Sequence, residues 1–241
     1  MPESVASLQS THLNNERTVW IREPRNAARA RHLTVFLDGE WYRERVGAVE
    51  ILNTHAADLA DSWFVFVSSH SEAARWRECP CHPPFAAFIA DELLPWLEQH
   101  HPTLAHARTR TLIGLSYTGL AAAFIACERP GFFHKVISQS GSFWWNDTWL
   151  IHAFETPPTR LHTAFYLSVG TRETQENLQH RPDVLQKISQ LEGVRRFHNT
   201  LRELDHRVHY AEFDGGHQFE CWRADLPKAL RWALLPTAGT P

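Results

Sequence analysis

The sequence Thr111-Leu-Ile-Gly-Leu-Ser-Tyr-Thr-Gly-Leu120 decides the fold that we expect for this chain. An apolar run from Thr109 to Leu115 ends at Ser116, and a run of small, helix-forming residues from Leu120 to Cys127 follows at once. This pattern predicts a strand, a sharp turn and a helix, with one serine at the corner. Gly114 lets the strand and the helix approach closely because it has no Cβ.

A serine in this place is typical of the nucleophile elbow of α/β hydrolases, which holds the hydroxyl above the sheet edge and against a helix N-terminus. The elbow usually reads G-x-S-x-G. Here Thr118 takes the fifth position, and the glycine follows one residue later at Gly119. An ordinary turn is the alternative interpretation, and Thr118 favours it, so the residues downstream have to decide.

Strands alternate with helices along the rest of the chain, which predicts an α/β fold of the α/β-hydrolase type, with a mostly parallel central sheet and helices on both faces. The other expected strands are Thr18–Glu23, Leu33–Leu37, Trp63–Val67, Lys135–Ser138, Ala164–Val169 and Arg207–Phe213. The other expected helices are Arg45–Leu59, Phe85–His100, Pro182–Leu204 and Glu220–Leu235. We expect a long functional loop from Ser68 to Pro84 and an irregular segment over 146–160.

The composition suits one large domain. We expect a flexible tail over residues 1–16 and a single catalytic domain over 17–241. The chain has 241 residues, a net charge of −3 and a pI near 6.6, so nothing in it indicates nucleic acid or an anionic membrane as a partner. No apolar run approaches the roughly 20 residues of a membrane span. The first ten residues lack a signal-peptide pattern, so we expect a cytoplasmic protein, and the oligomeric state stays open.

A metal site is conceivable at Cys79-Pro-Cys81-His82, where three candidate ligands lie close in sequence. The paired spacing of common zinc sites is absent, and Cys127 falls within a helical pattern. We therefore expect no metal and no cofactor.

Three expected strands end in residues that together form a catalytic triad: Ser116, Glu173 and His217. A serine hydroxyl becomes a nucleophile when a base takes its proton, and a carboxylate fixes the tautomer of that base. The order nucleophile, acid, histidine is that of α/β hydrolases. Asp205 and Asp214 compete with Glu173 for the role of acid, and a Ser–His dyad is a further alternative.

Two backbone N–H groups should form the oxyanion hole. We expect one from Tyr117, directly after the nucleophile. We expect the other from the turn after the Leu33–Leu37 strand, at Glu40.

The sequence resembles the catalytic domain of enterochelin (enterobactin) esterases, in the esterase D group. The segments that carry this resemblance, besides the elbow, are Leu37-Asp-Gly39, Arg75-Trp-Arg-Glu-Cys-Pro-Cys-His82, Phe85, Glu92-Leu-Leu-Pro95, Ser138-Gln-Ser-Gly-Ser-Phe-Trp-Trp145, Gly170-Thr-Arg-Glu173 and Asp214-Gly-Gly-His-Gln-Phe-Glu-Cys-Trp-Arg223.

The resemblance implies a serine hydrolase that opens the ester bonds of cyclic trilactone siderophores and so releases iron. It places the nucleophile at Ser116, the base at His217, the acid at Glu173 and a substrate-contacting arginine at Arg75. The sequence departs from the family at Thr118, and at Cys79 and His82, where leucine and asparagine are more frequent. The separate N-terminal domain of larger members has no counterpart in this sequence.

A ferric tricatecholate is anionic and carries flat rings, so we expect arginines and tryptophans to bind it. The candidates are Arg75, Arg172, Arg223, Trp144 and Trp145, and the alternative is that these arginines are merely solvated. The sequence thus predicts a serine esterase that acts on a siderophore trilactone. The alternatives are a general esterase or thioesterase, and a non-catalytic binding protein of the same fold.

Overall fold

Eight strands form one mixed sheet in the part of the chain that the structure describes. The computed structural model describes residues 2–55, 59, 61–155 and 162–234. In spatial order the strands are β1 (Glu3–Ser10), β2 (Asn15–Arg22), β4 (Ser62–Val67), β3 (His32–Phe36), β5 (Thr109–Leu115), β6 (Lys135–Gln139), β7 (Ala164–Gly170) and β10 (Val208–Phe213). From β4 to β10 all neighbours are parallel, while β2 is antiparallel to both β1 and β4. The mostly parallel sheet of an α/β-hydrolase fold is thereby confirmed.

Alternating side chains of the buried strands build two cores, one on each face of the sheet. Phe64 and Phe66 pack in one hydrophobic cluster, and Val65 and Val67 pack in the other. Successive side chains of a strand point to opposite faces, so a strand that is covered on both faces is apolar throughout. The helices that cover the faces are α1 (Gly39–Glu44), α2 (Ala48–Thr54), α3 (Glu72–Glu78), α4 (Pro83–Ala87), α5 (Leu94–His100), α6 (Tyr117–Glu128), α7 (Trp145–Glu155), α8 (Gln190–Glu203) and α9 (Phe219–Leu234).

The expected flexible tail over residues 1–16 is wrong. Glu3–Ser10 pairs residue by residue with Asn15–Arg22, so this segment forms the edge of the sheet. The turn between β1 and β2 is held by a residue distant in sequence: Glu92 accepts hydrogen bonds from Ser10 Oγ at 2.6 Å and from Thr11 N–H at 2.8 Å. The sequence did not predict this strand because the segment is largely polar. Main-chain pairing, rather than burial of side chains, holds it in the sheet.

The helix expected over Arg45–Leu59 is wrong in its boundaries. A first helix, α1, begins already at Gly39, and Gly47 with φ +73° separates it from α2. Residues 56–58 of the expected helix lie outside the described residues. The early start of α1 depends on Gly39, where a Cβ would lie 2.7 Å from the backbone nitrogen of Val67.

Two expectations between β4 and β5 also change. The long loop from Ser68 to Pro84 contains α3, and the hydroxyl of Ser71 caps this helix by accepting from Ala74 N–H at 3.1 Å. The helix expected over 85–100 consists of α4, a π-helical segment (Phe88–Leu93) and α5.

The helix expected over Pro182–Leu204 is wrong in its first part. Two short strands, β8 (Leu178–Arg181) and β9 (Val184–Gln186), form a separate antiparallel hairpin there. The helix α8 begins only after Ser189, whose hydroxyl accepts from Glu192 N–H at 3.1 Å.

Of the segment expected to be irregular over 146–160, residues 149–155 are helical, whereas residues 146–148 are not. This helix, α7, carries left-handed backbone angles over Asn146–Thr148. Residues 156–160 of that expectation lie outside the described residues, as does Leu235 of the closing helix.

Within the described ranges, none of the helices combines the length and the apolar character that a membrane span requires. The cytoplasmic location stays a prediction.

Candidate active site

Ser116 lies at the corner between β5 and α6, in a backbone conformation that residues other than glycine rarely adopt. Its φ is 53° and its ψ is −120°. A non-glycine residue in such a region costs on the order of 1–3 kcal/mol, and such residues cluster at functional sites. The turn closes tightly because a Cβ on Gly114 would lie 2.1 Å from the carbonyl oxygen of Thr118. Strand, sharp turn and helix therefore agree with the sequence prediction.

Thr118, the departure from the usual elbow pattern, is buried and satisfied. Its hydroxyl accepts from Leu115 N–H at 3.0 Å and lies 2.9 Å from Oδ2 of Asp38 and 2.8 Å from the carbonyl oxygen of Leu115. One of those two oxygens receives the hydroxyl proton. Close packing favours glycine at position 119, because a Cβ there would lie 2.7 Å from Ser138 Oγ. The elbow accommodates threonine without displacing the serine.

The side chains of Ser116, His217 and Glu173 form one continuous chain of polar contacts. Nε2 of His217 lies 3.0 Å from Oγ of Ser116, and Nδ1 of His217 lies 2.6 Å from Oε2 of Glu173. The Glu173 side chain is 1% exposed, whereas that of His217 is 41% exposed. A buried carboxylate thus orients an imidazole whose other nitrogen can take the serine proton.

The competing carboxylates lie elsewhere. Asp214 is 90% exposed and forms an ion pair with Arg172 at 3.6 Å. Asp205 precedes the amino end of β10, whereas Glu173 follows the carboxyl end of the parallel strand β7, so the two lie at opposite edges of the sheet. The geometry therefore favours Glu173 over both alternatives.

Two residues that the sequence analysis did not select hold Glu173 in place. Ser140 Oγ donates to Oε1 of Glu173 at 2.6 Å, and Nε1 of Trp222 donates to Ser140 Oγ at 3.0 Å. Gly170 N–H adds a hydrogen bond to Oε1 at 2.8 Å. The ring of Trp222 also meets that of His217 edge to face, with centroids 4.8 Å apart. Ser140 follows the end of β6, so its place after a buried strand was the signal that could have revealed it.

The oxyanion hole stays a prediction. Tyr117 and Glu40 both lie in the first turn of a helix, α6 and α1, where backbone N–H groups have no acceptor within the helix. The carboxylate of Glu40 accepts from Ser69 N–H at 2.9 Å. Burial raises the pKa of Glu40, and hydrogen bonds from its own amide and from Ser69 oppose that rise. The carboxylate of Glu40 is therefore held next to the turn that would carry the second donor.

A cavity of about 550 Å³ opens over the serine, within the range of small-molecule sites. Ser116, Glu173 and His217 line it together with a second hydroxyl, that of Ser142, which lies 3.4 Å from Ser116 Oγ. Six of its lining residues carry large aromatic rings: Trp41, Trp76, Tyr117, Trp144, Phe219 and Trp222.

Comparison with known proteins assigns the chain to a family. The Esterase family model, described as "Putative esterase", matches residues 10–233. The chain belongs to the Esterase family.

Its relatives include two proteins named iron(III) enterobactin esterase. The one from Dickeya dadantii is 29% identical over 96% of this chain and 54% of the relative. The one from Escherichia coli O6:H1 is 30% identical over 92% of this chain and 54% of the relative. This member of the Esterase family thus spans about half the length of the curated relatives that it matches.

A solved structure agrees with the fold of this Esterase-family chain. The enterobactin esterase from Shigella flexneri, crystallised in the presence of 2,3-di-hydroxy-N-benzoyl-serine, matches with a TM-score of 0.77 and 25% identity. The match covers 97% of this chain and 59% of that one.

Arg75 lines the cavity of the Esterase-family chain but does not project freely from a loop as the sequence suggested. It lies on α3, is 6% exposed, and donates through Nε to Asp38 at 2.8 Å. Its guanidinium also stacks over the ring of Trp41, 4.2 Å from the centroid. A contact of Arg75 with substrate stays a prediction, and its ion pair with Asp38 gives it a structural role besides.

The remaining substrate-binding candidates divide into two groups. Arg172 and Trp144 line the cavity. Arg223 and Trp145 are not among its lining residues, and a contact of either with substrate stays a prediction. Arg223 instead forms an ion pair with Glu50 at 2.6 Å. Proximity in sequence to Glu173 and His217 did not place both arginines at the cavity, because a side chain on a helix can point away from the residue that precedes the helix.

The motif Cys79-Pro-Cys81-His82 does not assemble a metal site. No group of three or more His, Cys, Asp or Glu side chains is placed to hold a metal ion, as far as the described part of the chain extends. Burial raises the pKa of the Cys79 and Cys81 thiols.

Proposed function

We propose that the chain is a serine carboxylic-ester hydrolase that acts through an acyl-serine intermediate. The observation that carries this proposal is the contact chain Ser116–His217–Glu173, with distances of 3.0 and 2.6 Å. Serine, histidine and carboxylate in this order constitute the machinery of acyl transfer.

Acylation begins when Ser116 Oγ attacks the ester carbonyl carbon. Nε2 of His217 takes the hydroxyl proton as the new C–O bond forms, and Glu173 stabilises the resulting imidazolium. The imidazolium then gives that proton to the departing alkoxide oxygen, so that the ester C–O bond breaks and an alcohol leaves. Deacylation repeats these steps with water as the nucleophile, which releases the acid and restores Ser116.

The developing negative charge on the carbonyl oxygen needs N–H donors that are already in place. We assign the amide of Tyr117 as one donor and the amide of Glu40 as the other. The amide of Tyr117 also lies at the N-terminus of α6, where the helix dipole is positive.

The favoured substrate is a cyclic trilactone siderophore with catecholate arms. Relatives over this domain are named enterobactin esterases. The cavity has the size for part of such a ligand, aromatic walls for its rings, and Arg75 and Arg172 for its negative charge. Opening the ring would release iron, because the three chelating arms lose the high effective concentration that the ring imposes on them.

The test is to incubate the protein with the iron complex of the cyclic trilactone and to follow the products by liquid chromatography and mass spectrometry. We expect the linear trimer first and shorter esters later. A fluorophosphonate probe should label the peptide that contains Ser116. Labelling with hydrolysis of small esters alone would indicate a general esterase, and absence of labelling would indicate a binding protein.

A further inference from the structure

Four aromatic rings close a loop at one side of the cavity. Trp76 meets Tyr117 edge to face at 4.8 Å between centroids, and Tyr117 meets Trp144 in the same way at 5.7 Å. Trp144 and His180 stack in parallel at 5.0 Å with 8° between their planes. His180 meets Trp76 at 6.1 Å and thereby completes the loop. All four residues line the cavity that contains Ser116.

His180 is the exposed member of this loop of four rings. It lies on the β8–β9 hairpin, outside the main sheet, and the hairpin strand that carries it is exposed. Three contacts hold its ring in place: the stack on Trp144, the tilted contact with Trp76, and a hydrogen-bond contact of 2.8 Å between its Nε2 and Oε1 of Gln186. An exposed imidazole that is held parallel to an indole acts as a wall rather than as core packing.

Polar groups around the rings fit a ligand that carries oxygen atoms and negative charge. The hydroxyl of Tyr117 is buried and has no hydrogen-bond partner among the described residues. The guanidinium of Arg75 lies 5.9 Å from the centre of the Tyr117 ring, and that of Arg181 lies 5.6 Å from the centre of the Trp76 ring. Buried polar groups in proteins normally have a partner, so a ligand oxygen would satisfy this hydroxyl.

A second cavity, of about 540 Å³, adjoins the first at the same wall. Trp76 and His180 line both cavities, and Arg181 lines the second. A ligand with several aromatic arms could therefore place one arm by the serine and extend another past the hairpin.

We propose, resting on the esterase function proposed above, that Trp76, Tyr117, Trp144 and His180 form a binding subsite for an anionic aryl group of the substrate. His180 is the residue that determines the preference for aryl over saturated groups. Flat rings gain from stacking on the indole and the imidazole, whereas a saturated ring of similar size gains only the contact area.

The experiment compares the binding of two carboxylates of similar size, 2,3-dihydroxybenzoate and cyclohexanecarboxylate, by ligand-observed NMR titration. The proteins are the wild type, His180→Ala, His180→Phe and Leu185→Ala. Leu185 is the matched control, because it is exposed on the same hairpin and does not line either cavity. The titration does not require turnover, so its result is independent of whether the protein hydrolyses esters.

We expect the wild type to bind the aromatic acid more tightly than the saturated one. His180→Ala should weaken binding of the aromatic acid by about 3- to 10-fold, the range of a stacking contact, and the saturated acid should lose less. His180→Phe should restore most of the affinity, and Leu185→Ala should behave like the wild type.

Equal affinity for the two acids, or tighter binding of the saturated acid, would overturn the inference. So would equal effects of His180→Ala and Leu185→Ala, or a His180→Phe protein as weak as His180→Ala. If trilactone hydrolysis fails while the aryl preference is found, the trilactone is rejected as the substrate and the subsite stands.

Discussion

The hydroxyl of Thr118 lies 2.9 Å from Oδ2 of Asp38 and so connects the elbow to the turn after β3. Asp38 begins that turn with a left-handed φ of 53°, directly before α1. The two proposed oxyanion donors, Tyr117 and Glu40, follow Ser116 and Gly39 in these two turns. The contact between Thr118 and Asp38 therefore fixes the distance between the two turns that carry the donors.

Replacing Thr118 should reduce both stability and the rate of the chemical step. Thr118→Val removes a hydroxyl that satisfies Leu115 N–H, so it should cost about 1–3 kcal/mol in the free energy of unfolding, measured with urea. We expect kcat to fall more than KM rises, because the donors act on the transition state. Thr118→Ser keeps the hydroxyl and should recover most of kcat. If the valine and serine variants have the same kcat, the hydroxyl does not position the donors.

The buried ion pair between Asp38 and Arg75 should be costly to break by replacing one partner. Both partners are buried, and either substitution alone leaves an unpaired charge or an unsatisfied group. Arg75→Met should cost about 3–5 kcal/mol, the effect of breaking a buried pair. The double variant Asp38→Asn/Arg75→Met should be more stable than the sum of the two single effects predicts. Strict additivity in urea unfolding would contradict a direct interaction.

Ser116→Ala should abolish ester hydrolysis and leave the fold intact. The side chain is half-buried and loses only its hydroxyl, so the change deletes little packing. Loss of a triad nucleophile lowers kcat by on the order of 10⁴-fold or more, and the remainder comes from binding and the oxyanion hole. Kinetics with a chromogenic ester and a thermal melt measure the two effects. A variant that keeps more than a few per cent of activity would exclude Ser116 as the nucleophile.

Glu173→Gln should lower kcat strongly because of the hydrogen bonds that the Glu173 carboxylate accepts. Oε1 of Glu173 accepts from Gly170 N–H, so the glutamine carbonyl should occupy that position and its NH₂ should face His217. Nδ1 would then act as acceptor, which places the proton on Nε2 and blocks the base. We expect a loss of roughly 10³–10⁴-fold in kcat.

Asp214→Asn is the control for that change, since Asp214 is 90% exposed and pairs with Arg172 across 3.6 Å. Its kcat should remain within about twofold of the wild type. A larger loss in Asp214→Asn than in Glu173→Gln would move the acid to Asp214.

Gly114→Ala should disrupt the elbow. The added methyl would lie 2.1 Å from the carbonyl oxygen of Thr118, and this neighbour is backbone that cannot rotate away. Overpacking of this kind typically costs 1–3 kcal/mol, or more where backbone has to move. Gly216→Ala is the comparison, because a Cβ there meets nothing within 4 Å. Similar melting temperatures of the two variants would show that the elbow relaxes more easily than the distance implies.

The sequence by itself determined the elements whose side chains alternate or repeat regularly. The apolar runs at β3, β4, β5 and β7 predicted buried parallel strands, because only strands covered on both faces are apolar throughout. Ser116, Glu173 and His217 were recognisable because each follows such a strand, and the carboxyl ends of parallel strands meet at one edge of the sheet. These local patterns were sufficient to predict the order and the chemistry of the triad.

Only the tertiary structure decided the features that depend on residues distant in sequence. The edge strand Glu3–Ser10 is polar, so only its pairing with β2 reveals it. Ser140 and Trp222 support Glu173 from two different elements, and Arg75 pairs with Asp38 from 37 residues away. His180 enters the cavity wall on a hairpin whose second strand falls in the range that the sequence predicted to be helical. Such contacts depend on distance and direction in space, which neither spacing nor periodicity along the chain encodes.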